Sequence, residues 1–117
     1  MNPIAELVRK SIGCYPAKDR KTHESLIAPD FHFTSPYDDR IDRAEYFRRC
    51  WPNSETIEVL EIEKLFIQGN DAFIRYRLET SGGDTFRNAE LIRTDGKQIK
   101  EVEVYFGQLP THPTPAR

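Results

Sequence analysis

Asn88 and Glu90 stand two residues apart in the segment Thr85-Phe86-Arg87-Asn88-Ala89-Glu90-Leu91-Ile92-Arg93. Its alternation puts Asn88, Glu90 and Ile92 on one face of a strand. A carboxylate on such a face lies at a wet rim, pairs with an arginine such as Arg87, Arg75 or Arg9, or is held inside for a chemical reason. Burial in an apolar pocket would raise its pKa, because desolvation penalises the charged form. A neutral Glu90 would donate a hydrogen bond to a ligand carbonyl, and an ionised one would act as a general base. The residue pattern leaves structural, ligand-contacting and catalytic roles for Glu90 all open.

Other polar groups join the same candidate site. Phe31-His32-Phe33-Thr34-Ser35 alternates as a strand, with Phe31, Phe33 and Ser35 on one face and His32 and Thr34 on the other. Aromatic residues are numerous for so short a chain, and most belong in a core by default. Buried Tyr and Trp need a partner for their polar end. Tyr15, Phe33, Ser35, Tyr46, Trp51, Tyr76, Asn88 and Phe106 are the expected ligand contacts, and Glu90 is the catalytic candidate. His23 is expected on an exposed helix face, His32 away from the site and His112 in the tail, so the histidines form no metal cluster. Asp38 and Asp39 read as turn residues beside Arg40, near the mouth of any pocket. Cys14 and Cys50 have no zinc-type spacing and are expected free and half-buried. The chain has no phosphate-binding glycine loop, nucleophile elbow or Cys–His pair, and no cofactor is called for.

These residues need elements to hold them. Ile4, Leu7, Val8 and Ile12 recur at helical spacing, predicting a helix from Pro3 to about Tyr15 that Pro16 stops. A second short helix is expected from Asp19, as N-cap, to about Ile27, ended by Pro29. Pro36 to Arg40 reads as a loop. Asp42 then caps a third helix, Arg43 to about Cys50, with Glu45 placed as in a capping box and Pro52 closing it. From Thr56 the period changes to two. Ile57 to Ile67 is a long strand whose parity slips near Leu60, as at a bulge. Gln68-Gly69-Asn70-Asp71 turns into a strand Ala72–Thr80, with Ile74, Tyr76 and Leu78 inward and Arg75, Arg77 and Glu79 outward. The Asp95-Gly96 turn joins the Glu90 strand to a last one, where Val102, Val104 and Phe106 share a face.

Helices followed by consecutive strands predict an α+β fold: a strongly curved antiparallel sheet with three helices of the N-terminal half on its concave face. Such a cone encloses a small-molecule cavity. Its outer face, with Arg75, Arg77, Glu101, Glu103 and Tyr105, suits a polar dimer interface. Residues 1–109 form one domain in this reading, and 110–117, with three of the eight prolines, a loose tail. A net charge of −2 and a pI near 5.9 leave no basic footprint for nucleic acid or anionic lipid. No apolar run approaches the roughly 20 residues of a membrane span, and the N-terminus lacks a signal-peptide pattern, so a cytoplasmic location is expected.

Ala28-Pro29-Asp30-Phe31-His32-Phe33-Thr34-Ser35-Pro36, then the third helix, then Phe86 to Glu90, Asp95-Gly96-Lys97 and Val104-Tyr105-Phe106-Gly107 together resemble the nuclear transport factor 2-like superfamily. Within it the chain is most similar to the SnoaL-like branch, related to ketosteroid isomerases and polyketide cyclases. The resemblance spans about Ile4 to Gly107 and implies a cone-shaped fold, a homodimer and a pocket for a small apolar or carbonyl-containing ligand. It implies no single activity, because members include isomerases, cyclases, hydrolases and scaffolds. Ketosteroid isomerases use a carboxylate base at the end of the early strand, a tyrosine on the first helix and a protonated acid on a late strand. Here the base position is Ser35, the helix position falls near Ser11, one turn before Tyr15, and the late-strand acid matches Glu90. Tyr15 would serve only if the helix end were shifted. The expected function is acid/base chemistry of a cyclase or isomerase on an enolisable carbonyl compound. The alternative is a non-catalytic dimeric module that binds a ligand or a protein.

Overall fold

The structure, a computed structural model, describes residues 2–107. The chain runs α1 (Pro3–Ala17), α2 (Arg20–Leu26), β1 (Ile27–Ser35), β2 (Asp38–Asp42), α3 (Arg43–Arg49), a 3-10 turn (Trp51–Glu55), β3 (Ile57–Gln68), β4 (Asp71–Thr80), β5 (Thr85–Thr94) and β6 (Ile99–Phe106). The six strands form one sheet in the order β2-β1-β6-β5-β4-β3. The fold is α+β, as the sequence predicts, with one refinement: β1 runs parallel to β6, so the sheet is mixed, while every other pairing is antiparallel. The parallel pairing is possible because a long crossing connection separates the two strands. Register shifts at Ile57/Val59 and Ile62/Lys64 bend β3 on either side of the parity slip legible near Leu60. The proposed tail, 110–117, lies outside the described residues.

The helices follow their caps. Asn2 accepts the backbone N–H groups of Ile4 (2.8 Å) and Ala5 (3.1 Å) at the start of α1. Its buried face is Ile4, Leu7, Val8, Ser11, Ile12 and Cys14. Pro16 does not stop this helix. It occupies the last turn, and the helix closes beyond it at Lys18, whose φ of 58° is left-handed and whose N–H reaches the Tyr15 carbonyl. Tyr15 is therefore helical, with its side chain on the buried stripe one turn after Ser11. Asp19 caps α2 and Asp42 caps α3, each accepting the N–H three residues on. The Glu45 carboxylate bonds Arg48 instead of completing the capping box.

Three segments differ from expectation. α2 ends at Leu26 and β1 begins at Ile27, so Pro29 lies within the strand rather than after the helix. Residues 38–42 form β2, an edge strand, where the sequence suggested a loop. Pro52 opens the 3-10 turn in place of simply ending α3.

The core lies between helices and sheet. Val8, Ile27, Phe31, Ile74, Ile92 and Ile99 are its most completely buried large side chains. Burying such a side chain contributes about 1.5–3 kcal/mol each. Gly96, with φ of 96°, makes the turn into β6 possible. Gly107 ends β6 by donating its N–H to the Arg87 carbonyl at 2.8 Å, an approach so close that a side chain there would collide with that carbonyl.

Candidate functional site

A cavity of about 690 Å³ opens between the helices and the concave face of the sheet. That volume falls within the ordinary range for small-molecule sites. Two polar networks face into it from opposite sides.

The sheet network rests on β4 and β5. Antiparallel register sets Tyr76 opposite Asn88 and Ile74 opposite Glu90. The Tyr76 hydroxyl donates to Glu90 Oε2 at 2.6 Å, and Asn88 Nδ2 donates to the Tyr76 oxygen at 3.3 Å. All three residues are buried, with Glu90 only 8% exposed. Burial pushes the Glu90 carboxyl up to about 7, and the Tyr76 hydrogen bond opposes that rise without cancelling it. Among the described residues no arginine pairs with Glu90: Arg75 and Arg87 lie on the convex face, both bonded to Glu63. Among the described residues Asn88 Oδ1 alone is a buried side-chain polar atom without a hydrogen-bond partner.

The helix network is a chain of four residues. Ser11 Oγ lies 3.3 Å from His23 Nδ1, His23 Nε2 lies 2.7 Å from the Tyr46 hydroxyl, and that hydroxyl lies 2.5 Å from the Tyr15 hydroxyl. His23 is 2% exposed, not on an outer helix face as its polar neighbours suggested. Its ring stacks on Trp51 at 5.3 Å and meets Phe47 edge-on at 5.7 Å. Burial, with help from the Arg43 charge, lowers the His23 pKa to about 4, so the ring is neutral near pH 7. A neutral ring carries one N–H, which leaves two satisfied arrangements. With the proton on Nε2, each group donates toward the cavity and the Tyr15 O–H is free to donate to a ligand. With the proton on Nδ1, every bond reverses and Tyr15 presents an acceptor. Burial raises the Tyr15 and Tyr46 pKa values, and the nearby Glu90 charge adds to both effects. The two phenols remain protonated.

Among the expected contacts, Tyr15, Phe33, Ser35, Tyr46, Tyr76, Asn88, Glu90 and Phe106 all line the cavity. Trp51 does not: it packs behind Tyr15, with ring centroids 5.0 Å apart, and against His23. The Ser35 hydroxyl accepts the Tyr37 N–H at 3.1 Å and is engaged in the turn after β1. Asp38 starts β2 at the cavity mouth and pairs with Arg49 at 2.6 Å. His32 lies on the other side of β1, 3.4 Å from the Arg40 guanidinium. Cys14 and Cys50 are free, and burial raises both thiol pKa values, Cys50 to about 12, which keeps them protonated. Among the described residues no His, Cys, Asp and Glu side chains gather as a metal site.

Sequence reasoning missed Ser11 and His23. A signal existed for each. Ser11 precedes Tyr15 by one helical turn on the apolar stripe of α1, and His23 precedes Leu26 and Ile27 by three and four residues.

No protein-family model and no curated protein matches this chain. Solved structures do. A nuclear transport factor 2-like protein of unknown function from Cytophaga hutchinsonii aligns with a TM-score of 0.73 at 21% identity, covering 88% of each chain. A hypothetical protein with a ketosteroid isomerase-like fold from Catenulispora acidiphila, in complex with trimethylamine, aligns at 0.72 and 18% identity, covering 90% of this chain and 88% of that one. A de novo designed protein with a curved β-sheet aligns at 0.77 and 13% identity, covering 89% of this chain and 84% of the design. The chain therefore has the nuclear transport factor 2-like fold. That a designed sequence shares it underlines that function must be argued from the cavity. Among the described residues no helix is long and apolar enough to cross a membrane.

Proposed function

We propose that this protein is a small-molecule pocket protein of the SnoaL-like kind that moves a proton on an enolisable carbonyl compound, with Glu90 as the base. The observation that carries this reading is a buried carboxylate on the cavity wall, 2.6 Å from Tyr76 and titrating near 7. A base of that strength is half ionised at neutral pH and accepts a proton that it can return. The division of labour known for ketosteroid isomerases does not carry over, because Ser35 stands at their base position. Of the other cavity carboxylates, Asp38 is paired with Arg49 and Asp84 is exposed.

In the proposed step, ionised Glu90 takes the proton from the carbon beside the carbonyl. The C–H electron pair becomes the enolate C=C bond, and negative charge moves to the carbonyl oxygen. The Tyr15 O–H, polarised by Tyr46 and neutral His23, donates to that oxygen. Where the enolate is conjugated with a neighbouring C=C bond, return of the proton from Glu90 to the far carbon completes an isomerisation. Attack of the enolate carbon on a second carbonyl of the same molecule makes a cyclisation instead: the electron pair of that C=O moves to its oxygen, which takes the proton back from Glu90.

The test is solvent deuterium uptake into 1-tetralone, a small enolisable ketone, followed by mass spectrometry. The wild type should exchange the proton beside the carbonyl above the buffer rate, and Glu90→Gln should lose about 100-fold or more of that rate. Equal rates for the two proteins would remove Glu90 from the chemistry.

We also propose that two copies pair through the convex face. Phe66 and Phe73 are cross-strand neighbours there, 66% and 44% exposed, beside Arg75 and Glu63. An apolar patch ringed by both charge signs can meet its own copy across a two-fold axis. Light scattering should give a dimer that Phe73→Arg splits; a monomeric wild type contradicts this.

A further inference from the structure

We infer that the compound this site takes carries a hydrogen-bond donor, a hydroxyl or an N–H, within a few bonds of its acidic carbon, and that Asn88 Oδ1 receives it. The inference rests on the proton-transfer reading of Glu90 and narrows its substrate class from ketones in general to hydroxy or amino ketones.

The Tyr76 hydroxyl has a single hydrogen, committed to Glu90 Oε2 at 2.6 Å. Its oxygen can then only accept, and it accepts from Asn88 Nδ2 at 3.3 Å. The reverse amide orientation would bring the Asn88 carbonyl against an oxygen with no hydrogen left to give. The ionised carboxylate therefore fixes the amide, turning its carbonyl away from Tyr76. Among the described residues that carbonyl has no partner, although Asn88 is 6% exposed and lines the cavity. Buried acceptors are normally satisfied, and one left over beside a candidate base is a place for a ligand donor.

Spacing sets the rest. Asn88 and Glu90 are one pleat apart, roughly 6.6 Å along the strand, and both side chains bend toward the same phenol oxygen. A donor received at Asn88 thus lies only a few bonds from a carbon presented to Glu90. A plain ketone would bury the Asn88 carbonyl unmet and bind more weakly. An ether in place of the hydroxyl would set oxygen against oxygen.

Calorimetric titration at pH 8 with three probes tests this. The probes are 1-tetralone, 4-hydroxy-1-tetralone and 4-methoxy-1-tetralone. The hydroxyl probe should bind at least tenfold tighter than the parent, and the methoxy probe no tighter than the parent. In Asn88→Leu, checked for folding by its melting temperature, the hydroxyl and parent probes should bind alike. Equal binding of hydroxyl and parent by the wild type, or a hydroxyl advantage that survives in Asn88→Leu, would overturn the inference while leaving the Glu90 reading in place. If none of the three binds and 1-tetralone gains no deuterium, the Glu90 reading fails and this inference falls with it.

Discussion

The two walls of the cavity both bury polar side chains, but they differ in how those groups are satisfied. On the helix wall, Ser11, His23, Tyr46 and Tyr15 are linked end to end, and every partner in the chain is a neutral group. On the sheet wall, Asn88 donates to Tyr76 and Tyr76 to a carboxyl group that burial pushes up to about 7, and among the described residues one amide oxygen is left over. A complete neutral chain holds phenols in place at small cost. An incomplete one around an ionisable group costs stability and is retained where a ligand completes it. In the proposed step the sheet wall supplies the base and the helix wall supplies the hydrogen bond to the carbonyl oxygen.

The contrast can be broken first at Glu90. Glu90→Gln should cut proton exchange by about 100-fold or more while leaving the melting temperature near pH 8 unchanged or raised. Stability against pH gives the next largest effect, and the two walls should push it in opposite directions. The folded pKa of Glu90 is raised from 4.5 to about 7, so the folded state holds the extra proton. Its contribution is fully present below about 4.5 and is lost as pH rises to 7, by about 3 kcal/mol. The folded pKa of His23 is lowered from 6.5 to about 4, so the unfolded state holds the extra proton. Its contribution grows as pH rises from about 4 to 6.5. The wild type should therefore respond weakly across this window. In His23→Gln stability should fall from pH 4.5 to 7, and in Glu90→Gln it should rise from pH 4.5 to 6.5. Urea titrations across the range check both; parallel profiles in the two variants would contradict the opposition.

Smaller effects separate the two phenols. Tyr46→Phe removes the middle of the helix chain and strands both His23 Nε2 and the Tyr15 hydroxyl, so it should destabilise by about 1–3 kcal/mol in chemical denaturation. Tyr15→Phe leaves Tyr46 bonded to His23 and should cost less stability, while slowing exchange on 1-tetralone more than Tyr46→Phe does. Ser11→Ala, at the far end, should be the mildest, about 1 kcal/mol. If Tyr46→Phe proved the milder of the two phenol changes for stability, the linked chain would be the wrong description.

Much of this contrast was legible before the fold. Period-two alternation placed Asn88 and Glu90 on one face of their strand and turned Tyr76 inward on the strand before it, because strand parity fixes which residues share a face; that the shared face of Asn88 and Glu90 is the inner one had to come from the fold. The succession of helices and then strands predicted the curved sheet. Pro16 was taken as a stop, whereas proline in a closing turn loses little, and the helix runs on to Ala17. His23 was lost in a short helix, Arg-Lys-Thr-His-Glu-Ser-Leu, whose composition is polar on nearly every side. Its burial comes from Trp51 and Phe47, contacts far along the chain that no local pattern carries. The edge strand β2 was hidden by Asp38, Asp39 and Arg40, residues that favour turns but suit an exposed edge. The unmet Asn88 oxygen depends on hydrogen-bond directions across two strands, which sequence does not encode.

The measurement closest to the central claim is the titration of the Glu90 side-chain carboxyl by carbon-detected NMR, assigned with Glu90→Gln. The account predicts a midpoint near 7, as burial on the cavity wall requires. A midpoint at or below the ordinary carboxylate value of about 4.3 would mean a solvated or cation-paired group, and would contradict Glu90 as the base of this pocket.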